Sequence, residues 1–262
     1  MAFAIEQYAR TVTPVRWDDL DLPAAFAARP LSPATLRCLR YMSDVESYTV
    51  CYLRDLLLTP SHDDPEITTF LTMWNYEEYW HGEALAAVLA AHGMVTDDAH
   101  QRRLRERQGS TGPLKQALLS QVVGEDFVGT HMTWGAINEW TTHAGYLALT
   151  RQEDHPVLTE LLARIIRQET RHVAFYRGQA ARRLHGSRRA RWITRFALRH
   201  AWAPVGSGVM PDEEVRFLLG HLMGGPAGRQ QARQVDQKID ALPGLAGLHL
   251  VERALDQRGV PA

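Results

Sequence analysis

Three helix starts in this chain are each followed, at one fixed distance, by a glutamate. Ser32-Pro33, Asp64-Pro65 and His155-Pro156 all place proline where a helix tolerates it best, in its first turn. Glu46, Glu78 and Glu169 lie 13 residues beyond Pro33, Pro65 and Pro156, and Glu139 lies 15 beyond Gly124. Each glutamate therefore falls near the middle of a long helix. In a bundle, helix midpoints share one layer whichever way the helices run. The intervals between these residues alternate: 32 from Glu46 to Glu78, 61 from Glu78 to Glu139 and 30 from Glu139 to Glu169. That is the rhythm of a hairpin, a long crossover and a second hairpin.

Two of the four glutamates carry a histidine three residues on, Glu78 with His81 and Glu169 with His172. Positions i and i+3 share a helix face, so each pair can reach one centre. The surrounding faces are apolar: Leu39, Met42, Val50, Leu53 and Leu57 around Glu46; Leu71, Trp74, Leu85 and Val88 around Glu78; Met132, Ala136, Tyr146 and Leu149 around Glu139; Leu158, Leu162, Ile165 and Tyr176 around Glu169. Four carboxylates in such surroundings repel one another and resist desolvation. Two divalent cations neutralise them. Four Glu and two His on four helices form the ligand set of di-iron and di-manganese carboxylate bundles. Glu46, Glu78, His81, Glu139, Glu169 and His172 are the expected ligands.

The rest of the chain reads as helices too. Alternating β-branched runs and Asn-Gly or Asp-Gly turns are scarce. The punctuation predicts long helices over 33–58, 65–92, 113–152 (loosened near Gly124) and 156–185. Shorter ones follow over 188–202, 211–223, 228–241 and 245–257. Residues 95–112 read as a connector with a short helix, and 1–29 as mixed. The expectation is one all-α domain over 1–262: a ferritin-like four-helix bundle over about 33–186, with a long crossover between its second and third helices, and a C-terminal helical extension over about 187–262.

Composition narrows the setting. The chain has 262 residues, 45% hydrophobic, and a formal net charge of −1. This is enough for a core and gives no global pull towards nucleic acid. No apolar run reaches the ~18 residues of a membrane span. Cys38 and Cys51, on one helix, stand about 19 Å apart at ~1.5 Å per residue, too far for a disulfide. Together these point to a cytoplasmic protein without integral membrane association.

At its two E-x-x-H sites the sequence resembles the soluble acyl-carrier-protein desaturases of the ferritin-like superfamily. Glu77-Glu78-Tyr79-Trp80-His81-Gly82-Glu83 is similar to that family's E-E-x-R-H-G-acid motif, and Gln168-Glu169-Thr170-Arg171-His172 to its D-E-x-R-H motif. The resemblance spans about 33–186. It implies that Glu78 rather than Glu77 is the ligand. It also implies that Thr142, three residues after Glu139, is a catalytic proton-relay group; otherwise Thr142 packs and bonds its own helix. Trp80 and Gln168 depart from the pattern. The implied activity is dioxygen-dependent desaturation of an acyl chain at two iron ions, with Mn/Fe or Mn/Mn as alternatives. A ferredoxin-type electron donor, acyl carrier protein and a homodimer are the implied partners.

Other features have more than one reading. His143 either supports the metal layer or packs at the surface. Trp74, Trp134 and Trp140 either pass electrons or fill the bundle. Gly135 and Ala136 either leave room for a substrate channel or let helices approach. Residues 182–200 hold seven arginines, Arg182, Arg183, Arg188, Arg189, Arg191, Arg195 and Arg199, and no acid. This stretch either docks an acidic carrier, binds an anionic membrane surface, or is a solvated face paired by acids from elsewhere. The competing functions are a di-iron hydroxylase or N-oxygenase on a small or carrier-bound metabolite, a ferritin-like iron-handling protein, and a bundle that only binds. The helices beyond 185 argue against a minimal ferritin.

Overall fold

The computed structural model describes residues 3–95, 98–107, 118 and 120–262. Among them there is no β-strand, only an isolated bridge between Ser207 and Met210. In chain order the helices are α1 (Ile5–Thr11), α2 (Leu22–Ala28), α3 (Pro33–Leu56), α4 (Pro65–Ala90), α5 (Asp98–Arg107), α6 (Asp126–Glu153), α7 (Pro156–Gly186), α8 (Arg188–Ala201), α9 (Asp212–Met223), α10 (Gly225–Asp240) and α11 (Leu250–Gln257). The protein is an all-α bundle with additional C-terminal helices.

The predicted helix starts are made by their caps. Ser32 Oγ accepts the Thr35 amide at 3.2 Å, and Asp64 Oδ1 accepts the Glu66 and Ile67 amides at 2.9 and 3.2 Å. Capping of this kind satisfies amides that the first turn leaves open. The ends are equally local. Gly93, at φ +73°, closes α4 as Met94 N–H reaches back to Leu89 O at 3.0 Å, a left-handed cap suited to glycine.

Some boundaries differ from expectation. Pro60 starts a short 3-10 turn, Pro60–Asp63, so α3 stops at Leu56. The loosening at Gly124 is a break: its φ is +69° and α6 begins afresh at Asp126. The expected start at 113 lies outside the described residues, as does 108–112 of the connector. The last helix begins at Leu250, not 245, because Gly244, Gly247 and His249 all take positive φ. The segment read as mixed contains α1 and α2.

The long helices pair as two antiparallel hairpins. Ser43 Oγ donates to Gly82 O and Asn75 Nδ2 to Thr49 Oγ1, which fixes α3 against α4. A Cβ on Gly129 would meet Leu184 at 3.7 Å and one on Gly135 would overlap the Tyr176 ring at 2.3 Å, which places α6 against α7. The connection from α4 to α6 is the long crossover. One contiguous core runs from Tyr8 to Val260, so the C-terminal helices share it with the bundle. The stripe around Glu46 is narrower than expected, because Val50 and Leu57 are exposed.

Candidate metal centre

All six expected ligands meet, and none is more than 5% exposed. They fall into two groups whose ligand atoms lie within 4.8 Å of one another: Glu46, Glu78, His81 and Glu169; and Glu78, Glu139, Glu169 and His172. Each group can hold a metal ion. Glu78 and Glu169 belong to both. Glu46 with His81, and Glu139 with His172, complete one side each.

The helices deliver this arrangement in matched halves. His81 Nδ1 lies 3.2 Å from Glu78 Oε2 and 3.3 Å from Glu169 Oε1. His172 Nδ1 lies 3.1 Å from Glu78 Oε1, 3.3 Å from Glu169 Oε2 and 3.8 Å from Glu139 Oε2. Both imidazoles therefore turn Nδ1 inward. Their outer nitrogens are tied across the bundle by the residue that precedes the opposite ligand glutamate. His81 Nε2 donates to Gln168 Oε1 at 2.7 Å, and His172 Nε2 donates to Glu77 Oε2 at 2.9 Å. Gln168 Nε2 donates to Thr13 O at 2.9 Å, which leaves its Oε1 as the acceptor and puts the His81 proton on Nε2. Each inward Nδ1 faces the carboxylates and, once it gives up its proton, offers the lone pair that a metal ligand requires.

The outer layer continues. Tyr8 Oη donates to Glu77 Oε2 at 2.8 Å, and Arg171 pairs with Glu77 Oε1. Tyr146 Oη donates to Glu46 Oε1 at 2.7 Å and Trp74 Nε1 to Glu139 Oε1 at 2.9 Å. The two halves differ in charge. One holds Arg171 with Glu77; the other has Trp80 with Gln168. Trp80 packs on Trp17, Tyr76 and Tyr79, with centroids 6.1, 6.5 and 5.3 Å away. The two departures from the resembled motifs thus occur together in one half, where both the cation and the acid are replaced by neutral groups. Neither side of that half is left as an unpaired buried charge, which would be strongly destabilising.

Electrostatics divides the carboxylates. Burial, reinforced by the neighbouring Glu78, pushes Glu46 well above the usual carboxylate range; burial beside Glu169 does the same to Glu139. Burial also works against the charge of Glu78 and Glu169, but hydrogen bonds from His172 and His81 prevail and hold both below it, Glu169 by far the more. Burial opposes protonation of His81, yet Glu169 and Glu78 raise it to about 10; Tyr8 and the carboxylates Glu139, Glu169 and Glu77 raise His172 well above its ordinary value against the same burial. Without metal the histidines act as the counter-cations. Glu169 Oε1 is still buried with no hydrogen-bond partner. A buried carboxylate oxygen so placed, 3.3 Å from His81 Nδ1, suits a metal ligand. The donor set of four carboxylates and two imidazoles fits iron or manganese.

A cavity of about 320 Å³ adjoins the cluster, lined by its four glutamates and by neither histidine. Glu46, Glu78, Glu139 and Glu169 form its floor, Tyr52, Trp74, Trp134 and Tyr176 line it, and the segment 203–207 covers it. Tyr41 Oη pins that cover by donating to Val205 O at 2.6 Å. A smaller apolar pocket of about 70 Å³ adjoins at Glu46 and Thr142 and runs between Met42, Leu219, Leu222 and Leu255. Thr142 borders both spaces. Thr133, Thr141, Thr150 and Thr170 bond their own helix carbonyls; among the described residues Thr142 has no such bond.

Other sequence readings resolve differently. His143 is half-buried and lines a separate groove with Trp140, Arg177 and Lys238, so it does not support the metal layer directly. Gly135 makes room for the Tyr176 ring. The arginine-rich stretch is not seven uncompensated charges. Arg182 pairs with Glu66 at 3.0 Å, Arg183 with Asp64, and Arg189 with Asp126 at 3.5 Å. Arg191 donates to Leu184 O at 2.8 Å and Arg195 to Ala246 O at 2.9 Å. Both brace neighbouring backbone. Cys38 and Cys51 are buried and form no disulfide with each other. No helix among the described residues is long and apolar enough to cross a membrane.

Sequence reasoning passed over Glu77 as a ligand, and the structure keeps it outside both groups, but as the anchor of His172. The available signal was the pairing of Glu77-Glu78 with Gln168-Glu169. No protein-family model, curated protein or solved structure matches the chain.

Proposed function

We propose that this protein is a dioxygen-activating oxidoreductase that holds two iron ions and oxidises an acyl chain, in the manner of acyl-carrier desaturases. The observation that carries the reading is the sharing of Glu78 and Glu169 between two four-residue groups that open on one cavity. Bound as a pair, iron would supply the reduction of dioxygen and the oxidising power to take hydrogen from an unactivated carbon. The chain's own residues do the remainder. Glu77 and Gln168 fix the histidine orientation. Trp74 and Tyr146 hold Glu139 and Glu46. Thr142 offers a hydroxyl between the carboxylates and both spaces, where a proton can be passed. The cover segment and the aromatic walls restrict water.

Electrons come from a ferredoxin-type donor. A carrier docks on the outer face of α8, where Arg188, Trp192, Phe196, Arg199 and His200 are exposed. Trp192 and Phe196 stack there at 5.8 Å, and Ala201, at the end of α8, lines the cavity. The test is a turnover of Fe(II)-loaded protein with reductant, dioxygen and acyl-carrier substrates, read by mass spectrometry. Loss of two hydrogens supports desaturation. Gain of oxygen assigns the hydroxylase chemistry. Unchanged acyl chains with accumulation of ferric iron contradict an oxidoreductase and leave iron handling.

A further inference from the structure

The two E-x-x-H segments hold each other's histidines, but with different chemistry. His172 Nε2, on α7, donates to a carboxylate of α4, Glu77 Oε2, at 2.9 Å. His81 Nε2, on α4, donates to an amide of α7, Gln168 Oε1, at 2.7 Å. Arg171 gives the buried Glu77 its counter-ion, yet it sits on the other oxygen, Oε1, while Tyr8 shares Oε2 with His172. Gln168 has no charge to offer. Its Nε2 is used on Thr13 O, and Trp80, the counterpart of Arg171, packs on Trp17. A hydrogen bond to an ionised acceptor is about twice as strong as one to a neutral acceptor. It also raises the basicity of the imidazole as a metal ligand. The glutamates do not offset this difference. Glu78 and Glu169 serve both sides, and Glu46 and Glu139 each accept one neutral donor, Tyr146 at 2.7 Å and Trp74 at 2.9 Å.

Resting on the reading of the cluster as a two-metal centre, we infer that its two sides are unequal: the side of Glu139 and His172 holds its ion more tightly than the side of Glu46 and His81. Glu77 and Gln168 are positioning residues that rank the two sides. Below one ion per chain, the metal occupies the His172 side first.

The test must avoid the repulsion between neighbouring ions, which separates two binding steps even in a symmetrical centre. Single-sided proteins do so. His81→Ala keeps the His172 side and His172→Ala keeps the His81 side. Each full-length variant, checked for unchanged helical content, is titrated with Mn(II), and the free ion is counted by electron paramagnetic resonance. His81→Ala is expected to bind its ion about tenfold more tightly than His172→Ala. Adding Glu77→Gln to His81→Ala should erase that advantage. Adding Gln168→Glu to His172→Ala should confer it, a gain that a merely structural role does not produce. In the chain with both histidines, Glu77→Gln should weaken the first binding step and Gln168→Glu strengthen the second. Equal affinities, the reverse order, or a ranking unmoved by both exchanges overturns the inference and leaves the two-metal reading standing. No binding of Mn(II) by the wild type or either variant overturns both.

Discussion

At the residue scale, the shared carboxylates make a prediction that a looser acidic cluster would not. Glu78 and Glu169 serve both metal groups, whereas Glu46 and His81 serve one. Glu78→Ala and Glu169→Ala are expected to lose both metals. His81→Ala is expected to retain about half the wild-type content, its loss confined to one side. Elemental analysis of the variants decides; equal losses throughout would remove the sharing. Partners of metal-bound histidines typically govern metal affinity by about 10- to 100-fold, so Gln168→Leu and Glu77→Gln should weaken loading in that range without abolishing it. A metal titration of both variants at wild-type affinity would reduce Glu77 and Gln168 to packing. His131 provides a pH effect. Burial, with Arg183 nearby, lowers its imidazole to about 3. The unfolded chain protonates it below pH ~6.5 while the folded chain does not, so the stability present above that pH is lost as pH falls towards the folded value. Between pH 7 and pH 5 this amounts to about 2 kcal/mol. His131→Gln should remove that portion of the acid sensitivity in denaturant titrations, and an unchanged slope would show that His131 is charged in the native state.

At the level of elements, the helix starts and the positions of the six clustered Glu and His residues were legible because both are local. A cap, a proline and a spacing of 13 residues need no knowledge of the neighbours. What the sequence hid was mostly tertiary. Glu77 reaches a histidine 95 positions away, and Tyr8 joins it from an N-terminal helix that had no clear pattern. The arginines of α7 and α8 gave the appearance of a free basic patch, because the acids that pair with them, Asp64, Glu66 and Asp126, lie elsewhere in the chain. Docking experiments should accordingly reverse Arg188 and Arg199, leaving Arg191 and Arg195 to brace the backbone. Carrier binding by Arg188→Glu/Arg199→Glu should fall and lose its salt dependence, since screened surface charges steer such encounters. Binding that equals wild type at low salt would move the docking face elsewhere. Gly135 lies at a tight helix contact. Gly135→Ala sets a Cβ 2.3 Å from the Tyr176 ring, and overpacking of this kind costs about 1–3 kcal/mol. Thermal unfolding will register it, and an unchanged Tm would mean that Tyr176 moves freely.

For the whole molecule, the metal-free cluster sets its charges against one another: burial favours the protonated form of Glu46 and Glu139, while His81 and His172 favour the ionised form of Glu78 and Glu169 and are themselves pushed towards the cation. Loading divalent ions onto these carboxylates and imidazoles would therefore release protons. The central claim, that the bundle is built around a pair of metals that react with dioxygen, meets its most direct test in one experiment. The protein is loaded anaerobically with Fe(II), its iron counted, and its Mössbauer spectrum taken before and after exposure to dioxygen. About two irons per chain are expected, as four carboxylates with two imidazoles hold in such bundles. Both are expected to convert to a coupled ferric pair with dioxygen consumed. One iron or none per chain, or two that stay ferrous or oxidise as uncoupled ions, would contradict the claim.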